Sequence, residues 1–408
     1  MATYFFSAFY ILILIMTSFS GAVVPDNRFI PFLYVPHFFS QPMNTQLKSA
    51  MYFATATDAY NTADRNCSLP EFYGAFDLGV LSRAYAQVSG NNPLRSYFQD
   101  KSMPFIVDGK IKMQGVAVGF DWIFSYNIGI AGSCMLSRLY TEYTFLPDSM
   151  KFAATDGMYN EIDQQRRLLF TTMGITEENN TRFGIAASEI NIFFQHVWER
   201  RFRFRSIMVK PKIGLMFPST FKAELYSPST LMQAEQQLWG GYLACESRFI
   251  LKEDFWIELY MFLSKRFSQS VDRRLPVLTE PFLYGAEVGK LLIDPGVTFS
   301  FCPSVVFARI RGGLGVAASY TLTYHQHDHF EDRRVDNSVN INLGPLKKIS
   351  NWGSDYVSLH LFYDFSDRFF EHEAVSFLKL KWDIPTDFFV AKRVAKTHNV
   401  MIGIEYAF

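Results

Sequence analysis

Charge is what this 408-residue chain has least of: Asp, Glu, Lys and Arg together supply 19% of it, against the ~25% usual in a soluble domain. Acidic and basic residues are equal at 39 each, so the basic excess that marks a nucleic-acid partner is missing. Cysteine is scarce too. Cys67, Cys134, Cys245 and Cys302 are widely spaced and form no CxxC pair, too few for a disulfide framework in a chain this long. The mean hydropathy of +0.03 is too low for a bundle of apolar membrane helices and too high for a disordered chain. No Pro-, Gly- or Ser-rich linker divides the chain and no fixed repeat is visible. What the chain has in excess is aromatic residues, 17% of the total, with 42 Phe, 21 Tyr and 6 Trp.

The first residues point to export. Ala8 to Met16 read AFYILILIM, followed by Ser18, Ser20, Gly21 and Ala22 and then Pro25. A short apolar core followed by small residues is the pattern of a secretory signal peptide over 1–22. The positive residues that usually precede such a core are absent, the first basic residue being Arg28. An uncleaved helical anchor is the alternative, although Tyr4 to Ser20 is short for a span. Residues 23–47, with Pro25, Pro31, Pro36 and Pro42, read as an extended segment before or inside the domain formed by 48–408.

Period-two alternation dominates that domain. Gly115 to Leu136 is the one stretch resembling a membrane helix, but Val116, Val118, Phe120, Trp122 and Phe124 fall on one parity and Gly115, Ala117, Gly119 and Asp121 on the other. Large apolar side chains on one face and small or polar ones on the other make a strand. In Leu314 to Tyr324, Leu314, Val316, Tyr320 and Leu322 oppose Gly315, Ala317, Ser319 and Thr321. Leu378, Leu380, Trp382 and Ile384 likewise oppose Lys379, Lys381 and Asp383. Eleven residues at ~3.3 Å each, tilted by ~45°, cover about 25 Å, the apolar band of an outer-membrane barrel. Trp382, Tyr324, Tyr363 and Trp239 sit at the ends of apolar parities, where interfacial aromatic girdles belong. A soluble sandwich alternates as well, but its polar face meets bulk water and favours Lys, Glu and Thr; here that parity is often Gly, Ala or Ser.

The expected fold is therefore all-β, an antiparallel transmembrane barrel. Candidate spans lie near 49–57, 77–88, 112–124, 126–135, 137–146, 184–198, 201–217, 238–250, 254–265, 282–293, 296–302, 305–311, 314–325, 355–364, 375–384 and 399–408, some of them short enough to be loop. About 14 strands are expected, within 12–16, since single-chain bacterial barrels have even numbers. One helical excursion is expected near 156–174, where EIDQQRRLLFTTM has helical spacing, either in the lumen or in an outer loop.

The last residues run Val400-Met401-Ile402-Gly403-Ile404-Glu405-Tyr406-Ala407-Phe408. Gly403, Tyr406 and Phe408 resemble the C-terminal assembly signal of bacterial outer-membrane barrel proteins of the porin-like class. Met401 departs from it, standing where that signal usually has a polar residue. The resemblance covers about ten residues besides the strand grammar of the body. It implies the barrel-assembly machinery and outer-membrane lipids as partners and the cell outer membrane as the location.

Three constellations carry potential chemistry. In WERRFRFR, Arg201, Arg203 and Arg205 share a strand face, ~6.6 Å apart, and inside a lumen would form a ladder favouring anions. The bland reading puts them at the membrane edge, beside lipid headgroups or Glu199. His325, His327 and His329 extend the inward parity of the preceding strand, and neutral imidazoles there would suit Zn, Cu or Ni; otherwise they belong to a hydrophilic loop. Ser358 and His360, or His372 between Glu371 and Glu373, would serve a barrel-embedded hydrolase, although spacing alone establishes no triad. The reading carried forward is a non-enzymatic, cofactor-free porin-like channel for passive diffusion of small hydrophilic solutes, anionic ones among them if the arginine ladder lines the lumen. Its lumen would set Arg201, Arg203, Arg205, Lys379 and Lys381 against Glu189, Glu246 and Asp383. The competing reading is a closed structural or adhesive barrel whose loops bind a partner.

Overall fold

The computed structural model describes residues 27–31, 33–37, 45–61, 66–125, 127–151, 156–176, 179–200, 203–233, 238–365 and 375–407. The 1–22 segment, Arg201, His372 and Phe408 lie outside them. No described helix is long and apolar enough to cross a membrane; the crossing elements are strands.

Twelve antiparallel strands close on themselves: β1 (Thr45–Ala56), β2 (Pro104–Ser125), β3 (Ile128–Pro147), β4 (Asn180–Phe194), β5 (Ser206–Phe217), β6 (Gly240–Lys252), β7 (Phe255–Arg266), β8 (Val297–Arg311), β9 (Leu314–His325), β10 (Trp352–Asp364), β11 (Val375–Thr386) and β12 (His398–Ala407). Each pairs with its sequence neighbour, and β1 closes the ring by pairing with both β12 and β2. Closure leaves no open sheet edge, the condition for a β-structure in hydrocarbon. Twelve is the low end of the expected range: of the sixteen candidate spans, 296–302 and 305–311 belong to one strand, β8, and three further segments account for the rest of the difference. Residues 126–135 and 137–146 belong to one long strand, β3. The 282–293 span became a short 3-10 turn and a strand, Glu287–Asp294, in a small sheet outside the barrel. The 77–88 span is a helix, α1 (Leu78–Ser89): Asp77 caps it by accepting from the Gly79 and Val80 amides, and Gly90 ends it in the left-handed conformation. Those caps decide against a strand.

Alternation fixes which side chain faces where. Outward positions expose large apolar groups from Met51 on β1 through Trp122, Ile192, Ile213, Leu243, Leu263, Leu361 and Leu380 to Ile402 on β12. A continuous apolar belt of this kind is foreign to a soluble monomer and is the lipid-facing surface of an outer-membrane β-barrel. Proline in this wall sits where pairing lapses. Pro211 and Pro303 lack the N–H a ladder needs, and the β4–β5 and β8–β9 registers skip opposite them.

The two ends differ. At one, the described connections include tight turns such as Gly312–Gly313, where both glycines have positive φ and so form the two-residue hairpin that only such residues allow. The start of β1 and the end of β12 pair at this same end. The other end carries the long connections, with α1, the expected helix as α2 (Asp156–Thr172), and α3 (Gly344–Ser350). The α2 helix lies on the loop side. Its Ile162, Leu169 and Phe170 join a core with Tyr52 and Ala54 of β1, Ile111 and Met113 of β2, and Met135 and Leu139 of β3. The loops thus dome over the β1–β3 side of the mouth. All four cysteines are free thiols.

Candidate functional site

The lumen is the site. Because inward positions alternate with lipid-facing ones, a strand carries charge to the barrel axis at no cost to its outer face. Lys379, Lys381 and Asp383 project inward from β11, Glu246 and Arg248 from β6, Glu258 from β7, Lys210 and Lys212 from β5, and Glu405 from β12, all buried or nearly so. Charges removed from water must be paired, and here they are. Asp121 meets Lys210 at 2.6 Å, Glu246 meets Lys212 at 3.1 Å, and Arg248 Nε donates to Glu258 Oε1 at 2.7 Å. Glu405 pairs with Lys379 and lies 3.8 Å from Lys48. Asp383 is held from three sides, by Lys381 at 2.9 Å, Ser358 Oγ at 2.5 Å and Asn399 Nδ2 at 2.7 Å.

Through this network runs a piece of chain that belongs to no strand. Residues 27–31 lie at the loop-end mouth: the Ala395 amide donates to the Arg28 carbonyl at 3.1 Å, and Thr397 Oγ1 to the Phe29 carbonyl at 2.7 Å. Residues 33–37 then descend inside the barrel. Leu33 joins the apolar core near the mouth, and Tyr34 stacks on Tyr260 at 4.4 Å. The Tyr34 hydroxyl and the His37 amide both donate to Glu258 Oε2, at 3.0 and 3.1 Å. The His37 ring lies 3.0 Å from Glu246 and 3.7 Å from Glu405. Glu246, Glu258 and Glu405 thus each bind the barrel's own cations on one side and this segment on the other. Its path leads from the loop end towards the turn end, where β1 begins.

The expected lumen residues Glu189, Glu246, Lys379, Lys381 and Asp383 all face inward; Glu189 sits beside the Ser133 and Tyr242 hydroxyls. The arginine ladder is corrected. Arg203 and Arg205 stand exposed in the turn before β5, and Arg205 pairs with Glu253 of the neighbouring turn at 2.5 Å. The strand that their alternation suggested starts only at Ser206, because the chain reverses there. The three histidines do not converge. His325 is buried between Thr298 Oγ1 at 2.7 Å and Asp328 at 2.8 Å, His327 contacts the Lys347 carbonyl, and His329 is exposed. No described group of residues has a metal-binding arrangement. Ser358 and His360 are not partners either: Ser358 bonds Asp383, while His360 Nε2 meets Ser319 Oγ at 2.9 Å. Gly403 faces inward and Tyr406 outward on β12, with Gly403 paired to Ala50 across the closing seam.

Sequence reasoning missed Glu258 and Glu405, although each lies on the inward parity of a recognised strand, and Lys48, which precedes the span recognised from residue 49. It also missed Tyr34 and His37, for which no periodic signal exists.

No protein-family model and no curated protein matches the chain. Among solved structures, an outer-membrane channel from Pseudomonas putida F1 aligns over 91% of this chain and 98% of its own, at 9% identity and a TM-score of 0.46. The translocator domain of the autotransporter NalP from Neisseria meningitidis aligns over 91% of each chain at 8% identity and a TM-score of 0.38. The Pseudomonas putida toluene transporter TodX aligns over 96% of this chain and 95% of its own at 10% identity and a TM-score of 0.34. At these identities the likeness is one of fold.

Proposed function

We propose that the protein is an outer-membrane channel for small hydrophilic solutes whose lumen is filled by its own N-terminal segment, so that passage requires residues 27–37 to move. The observation that carries this is the attachment of the segment. It is gripped by Glu246, Glu258 and Glu405, groups that the barrel wall already pairs with Lys212, Arg248 and Lys379. Withdrawal of the segment would therefore leave a polar passage with its wall charges still matched, rather than orphaned ions. In this reading the end with short described turns faces the periplasm and the end with long loops faces outward, the arrangement usual in outer-membrane barrels. Lumen charges of both signs favour polar solutes generally, and any preference for anions falls to Lys210, Lys212, Lys379 and Lys381. The barrel works without covalent chemistry in this reading, and β12 carries the segment that assembly machinery would engage.

Planar-bilayer recording tests it. The intact protein should show rare openings, and a chain lacking residues 27–37 should show frequent, discrete ones. Silence from both would leave the competing reading, a closed structural or adhesive barrel, which the apolar dome over β1–β3 favours.

A further inference from the structure

On the β1–β4 side of the outer wall the apolar belt ends at one level on neighbouring strands, and basic residues follow it. Towards the loop end, the outward positions of β2 run Phe124, Trp122, Phe120, Val118 and Val116, then Gln114, Lys112 and Lys110. Those of β3 pass from Leu136 to Arg138, Tyr140 and Glu142. The register puts the two changes in step: Val116 faces Leu136, Gln114 faces Arg138, Lys112 faces Tyr140 and Lys110 faces Glu142. Exposed phenylalanines flank the first polar row, Phe53 beside Gln114 and Phe183 beside Arg138. Ten residues from Phe124 to Gln114, at ~3.3 Å each and tilted by ~45°, rise about 23 Å, so this row marks the loop-side border of a ~25 Å apolar band. Lys112 and Arg138 line an open groove of about 530 Å³ here, with Phe53, Thr55 and Thr181 at its sides. They are diagonal neighbours on adjacent strands, ~7–8 Å apart, a gap that long side chains bridge. Both are exposed, and neither has an ion pair or side-chain hydrogen bond with a described residue. The carboxylate in the groove, Glu142, accepts from the Tyr140 hydroxyl at 2.9 Å and lies a row further from the belt than Lys112. Two unneutralised cations at the edge of hydrocarbon attract an anion from outside, and the anions found at that depth are lipid headgroups.

We propose that this groove docks one phosphate-bearing lipid of the leaflet at the loop end, its phosphate between the Lys112 ammonium and the Arg138 guanidinium and its acyl chains down the wall over Val116, Leu136 and Met51. A guanidinium holds two phosphate oxygens at once, and an ammonium adds a point charge. The exposed apolar positions directly below receive the chains that a free phosphate lacks. The site uses the outer face of a folded barrel, open or closed, so it stands or falls separately from the channel reading.

The test is native mass spectrometry of the full-length protein refolded in a non-ionic detergent with dioleoyl phosphatidic acid. One such lipid should be retained per barrel, at concentrations where dioleoyl phosphatidylcholine is not, and an equal concentration of inorganic phosphate should not displace it. Lys112→Gln and Arg138→Gln should each weaken binding about tenfold or more, as loss of a hydrogen bond to a charged group does. Arg205→Gln, at the opposite end, should leave it unchanged. Absence of retained lipid, equal retention of phosphatidylcholine, displacement by inorganic phosphate, or full affinity in both variants overturns the proposal. Should either variant lack the folded band on unheated gels, the other decides, and Lys112→Arg, which keeps the charge, should bind as the parent does. Lipid binding without conductance would reject the channel alone.

Discussion

Replacing Tyr34 with Phe isolates the grip on the lumen segment. The ring would keep its place, stacked 4.4 Å from Tyr260, and only the hydroxyl that donates to Glu258 at 3.0 Å would go. Glu258 would stay bound by Arg248 at 2.7 Å and by the His37 amide at 3.1 Å, so the barrel wall should be undisturbed. A hydrogen bond to a charged acceptor contributes ~1.5–3 kcal/mol. At 1.4 kcal/mol per factor of ten, losing it should raise the population with the segment displaced by roughly tenfold to a hundredfold. Single-channel recording reads this as opening frequency, with the heat-modifiable gel band confirming the fold. A Tyr34→Phe protein that folds, yet opens no more often than the parent while the 27–37 deletion does open, would refute the claim that Glu258 holds the segment in place.

Other consequences are checkable. Leu380→Arg puts a charge on the lipid face between two lysines that are tolerated because they face inward; it should cost ~2–4 kcal/mol, read as a lower urea midpoint for refolding in lipid. Gly115→Ala should lower the folded yield on unheated gels, since the new Cβ would stand 2.0 Å from the Leu136 carbonyl, a backbone atom that cannot retreat without breaking the β2–β3 ladder. In the deletion channel, neutralising Arg203 and Arg205 should leave the reversal potential where it was, whereas Lys381→Gln should move it towards cations.

The legibility of this protein follows from the period of a strand. Once Leu380 is known to be outside, Lys379 and Lys381 must be inside, because side chains on a pleated strand alternate without exception until a bulge intervenes. That is why Glu246, Asp383 and Gly403 were readable, and why Glu258 and Glu405 were readable in principle. Arg203 and Arg205 misled because a turn interrupted the alternation exactly where the aromatic and basic residues happened to continue it. The helix at Leu78–Ser89 misled because a capping Asp and a terminal Gly outweighed a pattern that also fits a strand.

By itself the sequence determined the barrel, its lipid-facing coat of aromatic and aliphatic side chains, and the charged character of its interior. Those properties depend on neighbours along the chain, and a two-residue period records them locally. Only the tertiary structure decided that twelve strands close the ring, that the lumen charges are paired across strands, and that Tyr34 and His37 lie among them. Such contacts join residues hundreds of positions apart, as Tyr34 and Glu258 do, and an irregular segment leaves no periodic trace of the surface it will meet.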